Sequence, residues 1–569
     1  MSQIDDEARI VLASPISGTT LLVLVQLTSK VFTFTANQVI LRDLPPAILG
    51  VATQLELYYI TLLYFSRESI RLAIQRKSLV VAAPSVASDD GNNATVKESG
   101  ITRQSITQEL ESQVVVNMSY LSFGMGLMFA VVLSTSYIHL ASDEVSRTPF
   151  HHQSVVITTI ASLLELASEP CFNVLQMHTL YRKRALVEMS AAFMKSLVTC
   201  FISMRAVCYN TNVGVMAFAL GHLSYACTLL CGYVIATRKI SRHLNFSLLL
   251  TRLQLSNRHG YLGNRFPWSM VSLAASVFLQ SIVKHLLTQG DSMILATLTS
   301  LEDQGIYALA SNYGGLVARI LFQPIEESSR AVFSSLLHSN SLGKRHTENI
   351  YLAKMHLAEI IRAYSMISAV AFPLGPALVP LVLNVLGGRR WASPKVCGLL
   401  SLYCLYIPFL AFNGISEAFV SSAASPSEVR KQALWMGAFS ACFVSAAYIF
   451  LVAGNLGARG VVYANIVNMT VRTIWSIAFI RSFLHRCKIA MKPSEMLPRP
   501  LTFVTAILTS TVLMTKGAYG LETENILGTV TYSAIHFIIV SYVERKYLAA
   551  QYTRASKMMT FKQGKYKRN

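Results

Sequence analysis

The amino-acid sequence predicts an all-α membrane protein that crosses the bilayer about fourteen times. Three observations support this fold class. Of the 569 residues, 53% are hydrophobic and only 14% are charged, whereas soluble chains carry about 25% charge. Apolar stretches long enough to cross a bilayer recur along the whole chain, and Lys and Arg concentrate in alternate connecting segments.

Each predicted helix is an apolar stretch that can cross about 30 Å of hydrocarbon at a rise of 1.5 Å per residue. The second, seventh and eighth stretches also carry internal charges, so their ends are harder to place. In chain order, the predicted helices are 17–41, 47–75, 114–140, 153–178, 186–208, 212–237, 268–298, 304–335, 350–386, 396–424, 431–453, 459–484, 500–516 and 525–545. An even number of crossings places both termini on the same side of the membrane.

The positions of the basic residues predict the orientation. Connecting segments on the side of the termini hold most of the Lys and Arg, including YRKR at 181–184 and KYKRN at the C-terminus. Cytosolic loops of membrane proteins are enriched in this way, so both termini are predicted to be cytosolic. The net charge of +20 is then a signal of topology, and nucleic acid is not an expected partner.

A long-range internal similarity divides the chain into halves. ESIR at 68–71 in the second predicted helix corresponds to ESSR at 327–330 in the eighth. Such repeats are typical of transporters that bind substrate between two halves, with chance similarity of apolar sequences as the alternative. The predicted parts are an N-terminal lobe at 1–237, a cytosolic connector at 238–266, a C-terminal lobe at 267–484, two further helices at 485–545 and a basic cytosolic tail at 546–569. The polar stretch 77–113 is predicted to be a disordered cytosolic loop.

Charged residues within the predicted helices are the candidate functional residues. Each costs on the order of 2.5 to 3.5 kcal/mol at the bilayer centre, so these side chains should face one another or a hydrated cavity. Several fixed cations around a cavity would bind a diphosphate, because guanidinium groups offer paired donors to phosphate oxygens. The candidates for diphosphate binding are Arg67, Lys284, Arg319 and Arg472, with Lys30 and Arg42 as further ones.

Ion pairing is the alternative role for these cations. The acidic candidates for structural pairing or for ion coupling are Glu165, Glu169, Asp291, Glu326 and Glu327. Spacing along the helix also permits local pairs, of Arg67 or Arg71 with Glu68 and of Arg330 with Glu326 or Glu327. Pro324 lies between Arg319 and Glu326, where it is expected to kink the helix.

Other classes of function find no support among the motifs. The sequence contains no GxxxxGK[ST], HExxH or GxSxG motif and no Cys/His cluster with zinc spacing. We therefore expect no ATP-driven transport, no cofactor, no metal and no enzyme activity. A membrane glycosyltransferase was the main enzymatic alternative, but its acidic residues would have to be Asp143 and Glu144 in a short loop, which is too little to assign catalysis.

Several stretches in both halves together form a recognisable pattern. They are FSRESIR at 65–71, LLELASEP at 163–170, FLQSIVKHLLTQGDSMIL followed by DQGIYALASNYGGLVARILFQPIEES, YCLYIPFLAFNGISEAF at 403–419, and ANIVNMTVR at 464–472. In these stretches, and in their order, the sequence resembles the Rft family of oligosaccharide translocation proteins of the endoplasmic reticulum. The loop 77–113 and the region beyond about residue 500 show no match.

The resemblance implies the fold of the multidrug/oligosaccharidyl-lipid/polysaccharide flippase superfamily, with two six-helix lobes around a central cavity and two additional helices. It implies ATP-independent alternating access that moves dolichyl-pyrophosphate oligosaccharide, with five mannoses and two N-acetylglucosamines, from the cytosolic to the lumenal leaflet for N-glycosylation. The implied partners are this lipid, the lipids of the endoplasmic reticulum membrane and other proteins of the pathway. Two alternatives stay open: a non-transporting accessory protein required for N-glycosylation, and a cation-coupled antiporter that uses Glu165, Glu169 or Asp291.

Overall fold

The computed structural model describes the conformation of most of the chain. Residues 35, 38–42, 44–81, 96–253, 261–337, 344–386, 391, 393–515, 526–550 and 553 are described. By contacts between residues, the chain divides into two compact units, Met1–Ala296 and Thr297–Asn569. Almost all of the described residues in both units are helical.

The first unit contains eight helices and one short hairpin among its described residues. The helices α4 and α5 are separated only by Ser168 and together form one apolar span, His151–Met177. In chain order the elements are α1 (Pro46–Val81), α2 (Val96–Leu140), α3 (Asp143–Ser146), α4 (His151–Ala167), α5 (Glu169–Met177), α6 (Tyr181–Cys208), α7 (Met216–His243), β1 (Tyr261–Leu262), β2 (Phe266–Pro267) and α8 (Trp268–Leu298).

Several clusters of buried residues hold this unit together, and two of them involve α1. One joins α1, α4 and α7 through residues such as Leu62, Ala161 and Ala219, and small residues at such contacts allow helix backbones to approach closely. The other joins α1 and α2 to α8, with Ile70 and Met270 among its members. Because its apolar face packs in this cluster, α8 belongs to the first unit. The sequence places this helix in the C-terminal lobe, and the lobe boundary at 267 stays a prediction.

The second unit contains nine helices and two π-helical turns among its described residues. Its elements are α9 (Leu301–Val317), a π turn (Ala318–Phe322), α10 (Gln323–Leu337), α11 (Lys344–Leu386), α12 (Pro394–Ala423), α13 (Pro426–Tyr448), a second π turn (Ile449–Ala453), α14 (Ala458–Arg486), α15 (Pro493–Met496), α16 (Pro500–Thr515) and α17 (Ile526–Val543). Pro324 follows the first π turn. Because proline has no N–H, it cannot donate to the carbonyl of Ile320, and the α-helical hydrogen-bond pattern is interrupted where the sequence predicted a kink.

The core of the second unit lies between α10, α11, α12 and α14. Phe333, Leu357, Phe419 and Leu484 are fully buried there. The last two helices are joined to α11 by a buried carboxylate, that of Glu544. It accepts hydrogen bonds from the Arg362 guanidinium (2.9 Å), the Arg499 backbone N–H (2.7 Å) and the Thr502 hydroxyl (3.0 Å). These bonds hold the C-terminal helices against the rest of the unit.

Hydropathy located the described helices well. Thirteen of the predicted stretches coincide with helices, whereas most of the first one, 17–41, lies outside the described residues. Within the described part, nine helices are long and apolar enough to cross a membrane, and two shorter apolar helices lie near the C-terminus. The total of about fourteen crossings stays a prediction.

The largest error in helix boundaries concerns 77–113. Helix α1 continues to Val81 and α2 begins at Val96, so the prediction of a disordered loop is wrong for 96–113, and 82–95 lies outside the described residues. Hydropathy failed here because ITRQSITQELESQ is polar but rich in residues that tolerate a helix. A helix can therefore extend beyond the apolar span that hydropathy detects.

The predicted connector is ordered against α2 where it is described. Its first residues continue α7 to His243. The residues after α7 are bound by side chains of α2. Asn117 of α2 donates to the carbonyls of Thr251 (2.8 Å) and Arg265 (3.1 Å) and accepts from the Thr251 N–H (3.2 Å). Gln113 donates to the Leu249 carbonyl at 3.1 Å. Two amide side chains thus replace the hydrogen bonds that this extended segment lacks within itself.

Replacing Asn117 by leucine is expected to release the connector. The variant keeps a similar side-chain volume but loses the three hydrogen bonds to the connector, of about 1 kcal/mol each, so local opening should become at least tenfold more frequent. Limited trypsin digestion with mass spectrometry measures this as faster cleavage after the exposed Arg252. Thr135→Val is the control, since that hydroxyl bonds only to its own helix. Equal cleavage rates in both variants would contradict the assigned role of Asn117.

Candidate functional site

Four charged side chains form a network inside the first unit. Arg67 and Arg71 lie four residues apart on α1 and face α4 and α5. Arg67 Nη1 contacts Glu165 Oε1 at 2.5 Å and Glu169 Oε1 at 3.3 Å. Arg71 binds Glu169 through two bonds, Nη2 to Oε1 at 2.5 Å and Nε to Oε2 at 2.8 Å. Both carboxylates are buried, and the two arginine side chains are only 22% and 21% exposed, so two cations and two anions neutralise each other in a largely buried network.

The break between α4 and α5 places the two carboxylates of this network. Pro170 in the first turn of α5 has no N–H to donate to the preceding helical turn, and the Ser168 hydroxyl donates to the Glu165 carbonyl at 2.7 Å. The Tyr59 hydroxyl donates to Glu165. The ring of Phe172 lies 3.8 Å from the Arg71 guanidinium carbon. Every charged group is therefore held by partners within the unit, which supports the pairing role for Arg67.

Lys284 lies on α8 and is held more loosely. Its Nζ atom is 3.2 Å from Glu68 Oε1, and its side chain is 59% exposed. The neighbouring His285 is buried and contacts the Thr61 hydroxyl at 3.0 Å. An exposed ammonium with a single carboxylate partner keeps donors available to a ligand. Glu68 contacts Lys284 and not Arg67 or Arg71, so the local pair expected on α1 is wrong.

The second unit contains a cavity of about 420 Å³ that is bordered by α10, α12 and α14. Glu326, Arg330, Asn413 and Glu417 contribute its polar walls. Arg472 on α14 donates to Glu417 Oε2 at 2.7 Å. Among the described residues no close ion pair joins Arg330 to Glu326 or Glu327, although the charge of Arg330 attracts the Glu326 carboxylate, so local pairing of Arg330 stays a prediction. The cavity thus combines an ion pair with polar groups that have fewer partners.

Gly414 lets Glu326 approach α12. A Cβ atom at position 414 would overlap the Glu326 carboxylate. The absence of a side chain there is what allows this acidic group to lie against the helix backbone at the cavity wall. The position of Glu326 is therefore set by two helices and not by α10 alone.

The remaining candidates either have local surroundings of their own or lie outside the described residues. Lys30 lies outside the described residues, and so does the side chain of Arg319, whose backbone belongs to the π turn. Arg42 is exposed. The Asp291 carboxylate accepts from the Ser292 N–H at 2.8 Å, and Glu327 accepts from Gln323 at 2.9 Å. In the parts that the structure describes, no group of three or more His, Cys, Asp or Glu side chains could hold a metal ion.

Sequence reasoning missed Asn413 and Glu417. Both belong to the matched stretch YCLYIPFLAFNGISEAF, yet neither was named as a candidate. Their spacing was an available signal, because polar residues four apart share one face of a helix that is otherwise apolar. Asn413 Nδ2 indeed donates to Glu417 Oε2 at 3.4 Å.

Solved structures of membrane transporters share this fold. The structure of the lipid II flippase MurJ in an inward closed conformation matches 93% of this chain and 100% of its own, with a TM-score of 0.55 and 11% identity. An inward-facing multidrug resistance MATE family transporter of the MOP superfamily matches 80% of this chain and 95% of its own, with a TM-score of 0.52 and 12% identity. At such low identities these likenesses show the fold alone, which is that of multi-span membrane transporters.

Sequence comparison identifies the family. The family model described as Rft protein matches residues 14–554. Relatives named Man(5)GlcNAc(2)-PP-dolichol translocation protein RFT1 are 34% identical in Yarrowia lipolytica, over 87% of this chain and 74% of theirs, and 31% identical in Saccharomyces cerevisiae, over 85% of each. The protein of that name in Mus musculus is 27% identical over 81% of this chain and 80% of its own. The chain belongs to the Rft protein family.

Proposed function

We propose that this protein moves Man(5)GlcNAc(2)-PP-dolichol from the cytosolic to the lumenal leaflet of the endoplasmic reticulum membrane for N-glycosylation. The observation that carries the proposal is the similarity along most of the chain to relatives that are named for translocation of this lipid. Transport would proceed by alternating access without ATP, in a multi-pass protein whose two termini are cytosolic. The protein would act as a transporter and not as an enzyme.

The substrate combines three kinds of chemistry, which need different surroundings. Its diphosphate needs cationic donors, its sugars need hydrogen-bonding groups, and its polyprenyl chain can stay in lipid. Lys284 fits the diphosphate best among the described candidates, because its ammonium is exposed and a diphosphate would attract it more strongly than the single Glu68 carboxylate does. Arg319, Arg472, Arg67, Lys30 and Arg42 remain proposed phosphate ligands.

The second candidate function is that of an accessory protein that does not transport. The observation that favours it is the pairing of Arg67 and Arg472 with buried or half-buried carboxylates. Ion pairs of this kind stabilise a membrane fold without binding substrate. Other proteins of the N-glycosylation pathway would then be its partners. A cation-coupled antiporter finds less support, because Glu165 and Glu169 are both engaged by arginines.

Reconstitution distinguishes these functions. The purified full-length protein is placed in liposomes that contain Man(5)GlcNAc(2)-PP-dolichol, and transfer between leaflets is followed by the accessibility of the glycan to an added lectin. We expect the protein to accelerate transfer at least tenfold over protein-free liposomes without ATP. Failure to accelerate it, together with impaired glycosylation in cells that lack the protein, would favour the accessory function.

Lys284→Ala is expected to slow this transfer about tenfold with unchanged protein abundance, because the diphosphate loses one charge-assisted hydrogen bond. Lys395→Ala is the matched control. Its side chain is 48% exposed and pairs with Glu302 and Asp303, so it resembles Lys284 in exposure and pairing. Equal transfer rates in the two variants would exclude Lys284 from diphosphate binding.

A further inference from the structure

The cavity of the second unit contains a buried acceptor without a donor. Asn413 is only 7% exposed and borders the cavity. Its Nδ2 atom donates to Glu417, but no described group donates to its Oδ1 atom. A buried amide oxygen without a hydrogen bond costs about 1 to 3 kcal/mol. Such a group indicates that something that donates hydrogen bonds belongs in the cavity.

Glu326 adds further acceptors to the same wall. Its carboxylate lies against α12 at Gly414. The charge of Arg330 attracts this carboxylate, but among the described residues no close ion pair engages it. Glu417, by contrast, is already engaged by Arg472. Glu326 and Asn413 are thus the acceptors at the wall that a ligand could bind through its own donors. The exposed guanidinium of Arg330 lines the same cavity and could donate to a ligand.

Size and charge select the kind of ligand. Water occupies about 30 Å³ per molecule in the liquid, so a single ion with a few waters would fill only part of 420 Å³. Volumes of this size are typical of sites for small organic molecules. Arg472 already neutralises Glu417, which leaves Glu326 and Arg330 as the other charges at the wall. A wall whose charges balance in this way does not favour a diphosphate, whereas sugar hydroxyls can donate to Glu326 and Asn413 and accept from Arg330. The side chain of Phe322 supplies apolar surface for the face of a sugar ring.

We propose that this cavity binds one or two sugar units of the translocated headgroup. The proposal rests on the proposed function, and it separates the two polar parts of the substrate: the sugars bind at Glu326, Asn413 and Arg330, and the diphosphate binds to cations outside this cavity. A neutral sugar bound at these groups does not occupy the cations that are proposed to bind the diphosphate.

Soluble sugars test the site directly. N,N′-diacetylchitobiose and α-mannobiose are titrated into the full-length protein in lipid nanodiscs and observed by saturation-transfer NMR. We expect at least one of them to bind the wild type, and Arg330→Ala and Glu326→Gln to weaken that binding at least tenfold. Arg330 is exposed, so its variant should fold. Gly414→Ala should act similarly because it displaces Glu326, while Gly437→Ala is the control, since nothing lies within 4 Å of its added Cβ atom.

The outcomes separate this inference from the proposed function. Sugar binding that is absent, or equal in wild type and in all of the cavity variants, overturns the glycan site even if the wild type transports the lipid. A third outcome concerns sodium, observed by ²³Na NMR. If the wild type binds sodium, Glu326→Gln does not, and sugars have no effect on this binding, then the cavity is a cation site and the glycan site is overturned. If the wild type does not transport the lipid but binds sugar in an Arg330-dependent manner, the proposed function fails and the glycan site stands.

Discussion

Replacement of Glu169 by alanine should destabilise the protein by about 3 to 5 kcal/mol and remove most of the folded protein from the membrane. Glu169 is 1% exposed and forms ion pairs with both Arg67 and Arg71. Without it, the Arg71 guanidinium has no carboxylate partner in a region of low dielectric constant. Since native proteins are stable by only about 5 to 15 kcal/mol, the loss is large. The amount of monodisperse protein after solubilisation and its thermal unfolding midpoint measure it.

An exposed ion pair provides the control for Glu169. Glu302 pairs with Lys395 at 3.4 Å, but its side chain is 53% exposed, so Glu302→Ala should cost at most about 1 kcal/mol. A second comparison tests the mechanism: replacing both Arg71 and Glu169 by methionine should recover much of the stability, because no unpaired charge is then buried. Similar abundance of Glu169→Ala and Glu302→Ala would refute the structural role of the network.

Glu544→Ala is expected to have an effect of comparable size in the second unit. The carboxylate is 1% exposed, and its removal leaves the Arg362 guanidinium, the Arg499 N–H and the Thr502 hydroxyl without their acceptor. We expect a loss of about 3 to 5 kcal/mol. Helices α16 and α17 should separate from α11 before the rest unfolds. Limited proteolysis should then yield a fragment without α17 at temperatures where the wild type resists cleavage.

Thr502→Val calibrates this prediction. It removes a single donor of the same carboxylate with little change in shape, so its cost should be about 1 kcal/mol. If Glu544→Ala costs no more than Thr502→Val, or if α17 stays protected in it, then apolar packing and not the carboxylate holds the C-terminal helices.

Hydropathy predicted most of the described helices because a membrane leaves the backbone few alternatives. A segment in hydrocarbon must satisfy its N–H and C=O groups internally, and a helix does so. This reasoning stops where the membrane stops, which explains why the polar start of α2 at Val96 was missed. It also says nothing of which helices pack together. The contacts of Met270 with the core of the first unit could not be read from the apolar character of α8.

The sequence predicted which charged residues need partners within the membrane, but it did not predict which residues pair with each other. The sequence identified Arg67, Glu165 and Glu169 as charges that must be satisfied within the membrane. It did not identify their partners, because Arg67 and Glu169 are 102 residues apart. Glu68 is adjacent to Arg67, and adjacent residues point to different sides of a helix. The spacing of Glu68 and Arg71 does allow a local pair, yet each contacts a residue of another helix. Glu68 accordingly faces Lys284 on α8, while Arg67 faces α4 and α5.

The π turn Ala318–Phe322 has a consequence for the phase of the helix that follows it. A π turn closes its hydrogen bonds over five residues where an α turn uses four, so it accommodates one residue more. Each residue of a helix advances the side-chain direction by about 100°. Deletion of a single residue from this turn would restore a continuous α-helix and rotate Glu326 and Arg330 together away from their present directions. The face that α10 presents to the cavity is therefore determined by one inserted residue upstream, as much as by the identities of the side chains on it.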